Sequence, residues 1–258
     1  MEEKVFFRSQ GGLKICALMN EVQANGHIVI MLHGLPSSKN SKTLNALREK
    51  LNQNNVNTML VDFNGNGESE GKFEEQTLSS HVKDARAAIN FLKKKGYRII
   101  DVLGSSASGP VAISLAADNP DINRVGLKSP VSDFYKRFEE KPIDNDYKGV
   151  TDWREKGYTY YTHSSGQKSK LNYSFYEDAK NHIAYEKAKN VKCPVLILHG
   201  DKDTGIDYRQ SQKLAELLSE GSLIVVEGAD HSLSIDWDTS YAEKMFVDWF
   251  KRSLEERE

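Results

Sequence analysis

The feature that most constrains this chain is a regular alternation. Short, β-branched or Leu-rich apolar runs recur, separated by longer stretches with helical periodicity. The runs are "IVIMLHG" (residues 28–34), "NTMLVDF" (57–63), "RIIDVLG" (98–104), "RVGLKSP" (124–130), "PVLILHG" (194–200) and "SLIVVEG" (222–228). Most end at Gly or Pro, as buried strands do. Between them, Leu78, Val82, Ala85, Ile89 and Leu92 step at three or four residues, as do Leu214, Leu217 and Leu218, and Tyr241, Met245, Phe246 and Trp249. Strand–helix–strand alternation of this kind predicts a mainly parallel central sheet with helices on both faces. The opening "VFFRSQGGLKICALM" departs from it and predicts an antiparallel hairpin, residues 5–8 and 13–19, turning at Gly11-Gly12.

One segment breaks the rhythm. Residues 131–190 contain no good core strand, yet they hold 12 of the chain's 24 aromatic residues. A structureless loop of that length is improbable within a compact domain. The expected organisation is therefore a core domain, residues 1–130 and 191–258, interrupted by an inserted helical cap at residues 131–190. The cap aromatics, among them Trp153, Tyr158, Tyr160, Tyr161, Tyr173, Phe175 and Tyr176, either line an apolar acyl or aryl pocket or pack the cap onto the sheet.

In a parallel sheet of this type, ligand crevices form at the carboxyl ends of strands. Three strand ends here carry chemically suited residues: serines after "IIDVL", Asp201 and Asp203 after "VLILHG", and Asp230 and His231 after "LIVVEG". A serine hydroxyl becomes a useful nucleophile when a base takes its proton and an acid orients that base. The order Ser, Asp, His is that of hydrolases built on such sheets. Among Ser105, Ser106 and Ser108, the G-x-S-x-G elbow pattern favours Ser106, which has Gly104 two residues before it and Ser108 two after. Ser108 then takes a position reserved for small residues, with an expected role that is steric. The strand ending in His33-Gly34 supplies a second element, a backbone amide at Leu35 that pairs with the amide of Ala107 as an oxyanion hole. His33 itself is expected to be structural.

Together "HGLPSS", "DFNGNGESEGKF", "GSSASG", "LILHGDKDTGI" and "VEGADHSLS" resemble the α/β-hydrolase superfamily. They look most like the branch that holds bacterial cinnamoyl and feruloyl esterases and related short-chain carboxylesterases. The resemblance spans residues 5 to about 130 and about 193 to 250. It implies Ser106 as nucleophile, His231 as base and Asp203 as the acid, with Asp201 a non-catalytic neighbour and Asp207 and Asp230 turn or helix-cap residues. The chain departs from that branch at Ser105, where His is usual, at Ser108-Gly109, where Gly-Gly is usual, and at Asn66, which often is His. A serine two after the nucleophile is similar to some acyl-carrier-protein thioesterases of the same fold. The resemblance thus implies a carboxylesterase acting on small acyl or aryl esters. The alternatives are a thioesterase or acyltransferase with the same residues, and a silent hydrolase fold that binds a small ligand.

Composition narrows the partners. With 35 Lys+Arg against 37 Asp+Glu, the formal charge of −2 argues against a nucleic-acid binder. No uncharged apolar stretch reaches membrane-spanning length. Cys16 and Cys193 are isolated and lack metal-type spacing, and the charged start Met1-Glu2-Glu3-Lys4 is unlike a signal peptide. The expectation is a cytoplasmic enzyme with reduced thiols, a small-molecule ester substrate, and no metal or cofactor.

Overall fold

A computed structural model describes residues 1–24, 26–140, 147–162, 166–236 and 238–255. In chain order the strands are β1 (Glu2–Arg8), β2 (Lys14–Asn20), β3 (His27–Leu32), β4 (Asn57–Val61), β5 (Ile99–Ser105), β6 (Ile122–Lys128), β7 (Tyr158–Thr162), β8 (Lys168–Asn172), β9 (Val195–Gly200) and β10 (Gly221–Val226). The helices are α1 (Lys42–Gln53), α2 (Leu78–Lys94), α3 (Gly109–Asp118), α4 (Phe134–Glu140), α5 (Val150–Lys156), α6 (Ser174–Ala179), α7 (Ala184–Ala188), α8 (Arg209–Leu217) and α9 (Ser240–Glu255).

Eight strands form one sheet in the order β1-β2-β4-β3-β5-β6-β9-β10. The β1–β2 and β2–β4 pairs are antiparallel and the rest are parallel. This is the α/β-hydrolase fold. Every residue of β3, β4 and β9 is buried. That explains why those strands read as continuous apolar runs: helices cover both of their faces. Helix α2 shows the opposite pattern, burying Leu78, Val82, Ala85, Ile89 and Leu92 on one stripe. It starts cleanly because Thr77 and Ser80 cap each other's backbone N–H groups. Helix α3, packed against β5 and β6, is buried from Gly109 through Ala116. On the other face α9 sets Phe246 and Phe250 into an apolar layer with Leu44, Leu47 and Leu103.

The sheet order turns around at β3 and β5. The chain passes from β3 outward to β4, then returns to add β5 on the other side of β3. Connections leaving the carboxyl ends of β3 and β5 therefore diverge, which is where sheets of this type form a ligand crevice. The His33-Gly34-Leu35 turn and Ser106 both lie at that crevice.

The segment between β6 and β9 corrects the expectation of a purely helical insertion. Alongside α4, α5, α6 and α7, strands β7 and β8 pair as a two-stranded antiparallel sheet, with Tyr160 opposite Lys170. Alternation in "YTYYT" carries this strand signal, but Tyr160 faces outward and the segment has no continuous apolar run. Most of the buried aromatics pack on each other. Trp153 meets Phe138 edge-on at 5.2 Å, Phe134 meets Phe175 at 5.6 Å, and Tyr173 stacks on Tyr176 at 5.5 Å. Of the seven aromatics considered for a pocket, Trp153, Phe175 and Tyr176 are buried in this cluster, whereas Tyr160 is exposed. The segment is fastened to the core by Asp178, whose carboxylate accepts from the Ser79 N–H at 2.7 Å and the Ser79 hydroxyl at 2.6 Å. A carboxylate at the first turn of α2 also suits the positive end of the helix dipole. Among the described residues, no helix is long and apolar enough to cross a membrane.

Candidate active site

Strand β5 ends at Ser105, and Ser106–Ser108 form a single 3₁₀ turn before α3 begins at Gly109. Ser106 has φ of +53°, a left-handed conformation that costs a non-glycine residue energy and tends to persist at functional sites. Close packing holds the turn there. A Cβ on Gly104 would come within 2.8 Å of the Ser108 carbonyl oxygen, and one on Gly109 within 2.6 Å of the Pro130 Cβ. The Val131 N–H donates to the Ser106 carbonyl at 3.0 Å, tying the turn to the chain after β6.

Ser106, His231 and Asp203 come together in a line. His231 Nε2 lies 3.0 Å from Ser106 Oγ, and His231 Nδ1 lies 2.6 Å from Asp203 Oδ2. A carboxylate only accepts, so Nδ1 carries hydrogen and Nε2 is left to accept from the serine hydroxyl. The Asp203 side chain is fully buried, while that of His231 is 42% exposed. Burial by itself would raise the Asp203 pKa. Hydrogen bonds from His199, His231 and the Ile206 N–H outweigh it and hold the carboxyl well below its usual range. Asp203 is thus an anion at any pH near neutrality.

The other carboxylates on these loops do different work. Asp201 accepts from the Gly228 N–H at 2.7 Å. Asp230 accepts from the N–H groups of Ser232 and Ser234. Asp207 accepts from the Arg209 N–H and guanidinium at the start of α8.

The turn after β3 lies against the serine: a Cβ on Gly34 would sit 3.1 Å from the Ser106 Cβ. His33, fully buried, shapes this turn. Its Nδ1 donates to the Gly34 carbonyl at 2.7 Å and its Nε2 accepts from the Phe63 N–H at 3.2 Å. Burial lowers the pKa of this ring, which keeps it neutral and suits the mixed donor–acceptor role. The Leu35 amide follows directly, and the Ala107 amide sits at the 3₁₀ turn.

Ser108 corrects the steric expectation. It is buried, and its hydroxyl donates to the His33 carbonyl, so the serine pins the β3 turn to the elbow. Ser108→Ala would leave that buried carbonyl unpaired, at a cost of about 1–3 kcal/mol. The expected result is a lower denaturant midpoint together with reduced turnover. Unchanged stability and turnover would show that the hydroxyl contributes nothing beyond its small size.

Sequence reasoning passed over three residues that the structure places around this site. Lys39 is 2% exposed, and both its N–H and its ammonium bind Asp62 at 2.6 Å. It thereby anchors the loop that bears Leu35. Burial lowers the Lys39 pKa, but Asp62 and Glu68 more than offset this and raise it. Lys128, at the end of β6, donates to the His231 carbonyl at 3.3 Å. Its burial pushes the amine pKa down to about 8 despite Asp230 and Asp203. His199 sits beside Asp203. A lysine ending an apolar strand and a histidine four residues before the acid were the available signals.

The fold and this arrangement define an α/β-hydrolase with an ordered Ser, His and Asp. The prolyl oligopeptidase family model matches residues 42–257, and the chain belongs to that family and is a hydrolase. Bovine palmitoyl-protein thioesterase ABHD10, mitochondrial, is 26% identical over 213 residues, which is 80% of this chain and 67% of the relative. Mouse serine hydrolase BPHL is 23% identical over 240 residues, 89% of this chain and 78% of the relative. Est1E from Butyrivibrio proteoclasticus, solved with ferulic acid bound, superposes with a TM-score of 0.82 at 21% identity, covering 97% of this chain and 99% of that one.

Proposed function

We propose that the protein cleaves carboxylic esters through an acyl-enzyme on Ser106, with His231 as general base and Asp203 as its orienting acid. The observation that carries this reading is the hydrogen-bonded line from Ser106 Oγ through both His231 nitrogens to Asp203. His231 Nε2 takes the hydroxyl proton as Ser106 Oγ attacks the ester carbonyl carbon. The Leu35 and Ala107 amides receive the negative charge that develops on the carbonyl oxygen. As the tetrahedral intermediate collapses, the imidazolium returns the proton to the departing alkoxide, leaving the acyl group on Ser106. A water molecule, deprotonated by the same ring, then attacks the acyl carbon and frees the acid and the serine. No step calls for a metal or an organic cofactor.

Within this reading, residues 131–190 form a cap beside a core of residues 1–130 and 191–258. Small acyl or aryl esters are the proposed substrates, and the superposition on a structure holding ferulic acid favours an aryl group. A second reading has the leaving group as a thiol. It is favoured by the ABHD10 match in sequence and by the superposition on mouse ABHD10 with a TM-score of 0.77. A fluorophosphonate probe should label Ser106, located by peptide mass spectrometry. A protein left unlabelled is a silent binder. Paired oxygen and sulfur esters of the same acyl group then separate the two leaving groups.

The base must be neutral to accept the serine proton. Activity should therefore fall toward acid pH, where a histidine base becomes protonated. A flat rate between about pH 5 and 8 in folded protein would rule out a histidine base.

A further inference from the structure

Asp203 Oδ2 is shared by two histidines, and only one of them reaches the serine. His199 Nε2 lies 3.0 Å from the same oxygen that His231 Nδ1 approaches at 2.6 Å. His199 is fully buried near the end of β9. Its other nitrogen, Nδ1, is 2.7 Å from the hydroxyl of Ser211, also fully buried, on α8. Nε2 faces only acceptors, the Asp203 carboxylate and the Ile206 carbonyl at 3.2 Å. It therefore carries hydrogen, and in the neutral ring Nδ1 accepts from the Ser211 hydroxyl. Strand, loop and helix thus lock one tautomer in one orientation.

Resting on the acyl-enzyme reading above, we propose that His199 is a positioning residue for the relay, one that fixes the Asp203 carboxylate and draws off part of the charge it presents to His231. Asp203 Oδ1 is already held by the Gly205 and Ile206 N–H groups, each at 2.9 Å. Oδ2 would otherwise be held by His231 alone, a ring on a half-exposed loop. With His199 in place, both oxygens are anchored from the protein interior, and the carboxylate plane stays aimed at His231 while that ring gains and loses its proton. The second donor also spreads the negative charge, so His231 competes for it with a fixed neighbour. The other charged groups facing the relay are Lys128 from β6 and Asp230 from the loop after β10. Asp201 and Lys202 lie further out on the Asp203 loop. All four remain in the variants below.

His199→Leu removes the donor, and His199→Gln keeps an N–H of similar reach. The expected result for the leucine variant is a loss in kcat of roughly 10-fold or more, from a mispositioned relay. Its acid limb in kcat/KM should also move to higher pH, because the unshared carboxylate oxygen favours protonated His231 more strongly. Glutamine should restore both toward the wild type. Ser211→Ala, which frees the His199 ring, should move the limb in the same direction by a smaller step, and it decides the matter if the leucine variant does not fold. An acid limb that stays put in the folded variants overturns the proposal, whatever happens to kcat, since a purely structural histidine would lower stability without moving it. Fluorophosphonate labelling of the wild type separates the two levels. An unlabelled Ser106 sinks the acyl-enzyme reading, and a labelled one with an unmoved limb sinks only the role of His199.

Discussion

Ser106→Ala should lower kcat by about 10⁴-fold or more while leaving the fold intact. The alanine keeps the turn's small volume and removes only the oxygen that lies 3.0 Å from His231 Nε2. Asp203→Asn should cost a comparable factor, about 10⁴-fold. An amide placed at Oδ2 can turn a donor toward His231, which favours the wrong tautomer. Asp201→Asn should be mild, because its contact is a backbone N–H of Gly228 that an amide oxygen accepts equally well. Measured kcat and kcat/KM on a chromogenic ester check all three. Ser106→Ala activity near wild type, or a loss at Asp201 equal to that at Asp203, would overturn the assignments. Ser105→Ala serves as the comparison, since its hydroxyl does not lie on the line to His231.

The second large effect concerns the insertion. Trp153→Ala should destabilise the protein by about 3–5 kcal/mol, the usual cost of emptying a buried large aromatic site. Trp153 is 1% exposed. It packs edge-on against Phe138 and Tyr173, and its indole N–H donates to the Leu171 carbonyl at 3.1 Å. Truncation opens a cavity and removes that hydrogen bond together, whereas Trp153→Phe loses the hydrogen bond and less volume. The check is a denaturant melt set beside KM for an aryl ester. A raised KM with unchanged stability would place Trp153 in a substrate pocket instead of a packed interior.

Much of this fold is legible in the sequence because its signals are local. Each predicted core strand overlaps an observed one, with ends displaced by at most two residues. Burial on both faces keeps β3 and β9 almost wholly apolar, and that pattern survives whatever the neighbouring strands turn out to be. Residues 158–162 were not legible in the same way. A two-stranded sheet with one exposed face needs only alternate apolar residues, and five positions are too few to distinguish it from a helix end. Ser108 was misread for another reason. Its partner, the His33 carbonyl, is 75 residues away, and nothing in "GSSASG" announces a bond made across two strand ends.

By itself the sequence determined the strand–helix alternation, the small residues that let β5 turn sharply into α3, and the presence of Ser, Asp and His types at three strand ends. These follow from side-chain periodicity and volume, which act over a few residues. Only the tertiary structure decided which of them meet. Ser106 and His231 are 125 residues apart and Asp203 and His231 are 28 apart, so their contact depends on the sheet order that sets β5, β9 and β10 along one edge of a crevice. Asp201 and Asp203 are two residues apart, and the turn after β9 gives the first carboxylate to the Gly228 amide and the second to two histidines. The pairing of His199 with Asp203 has the same origin. A hydrogen bond forms where the backbone brings donor and acceptor within 3 Å or so, and that placement is a property of the closed sheet and its loops, not of any short stretch of chain.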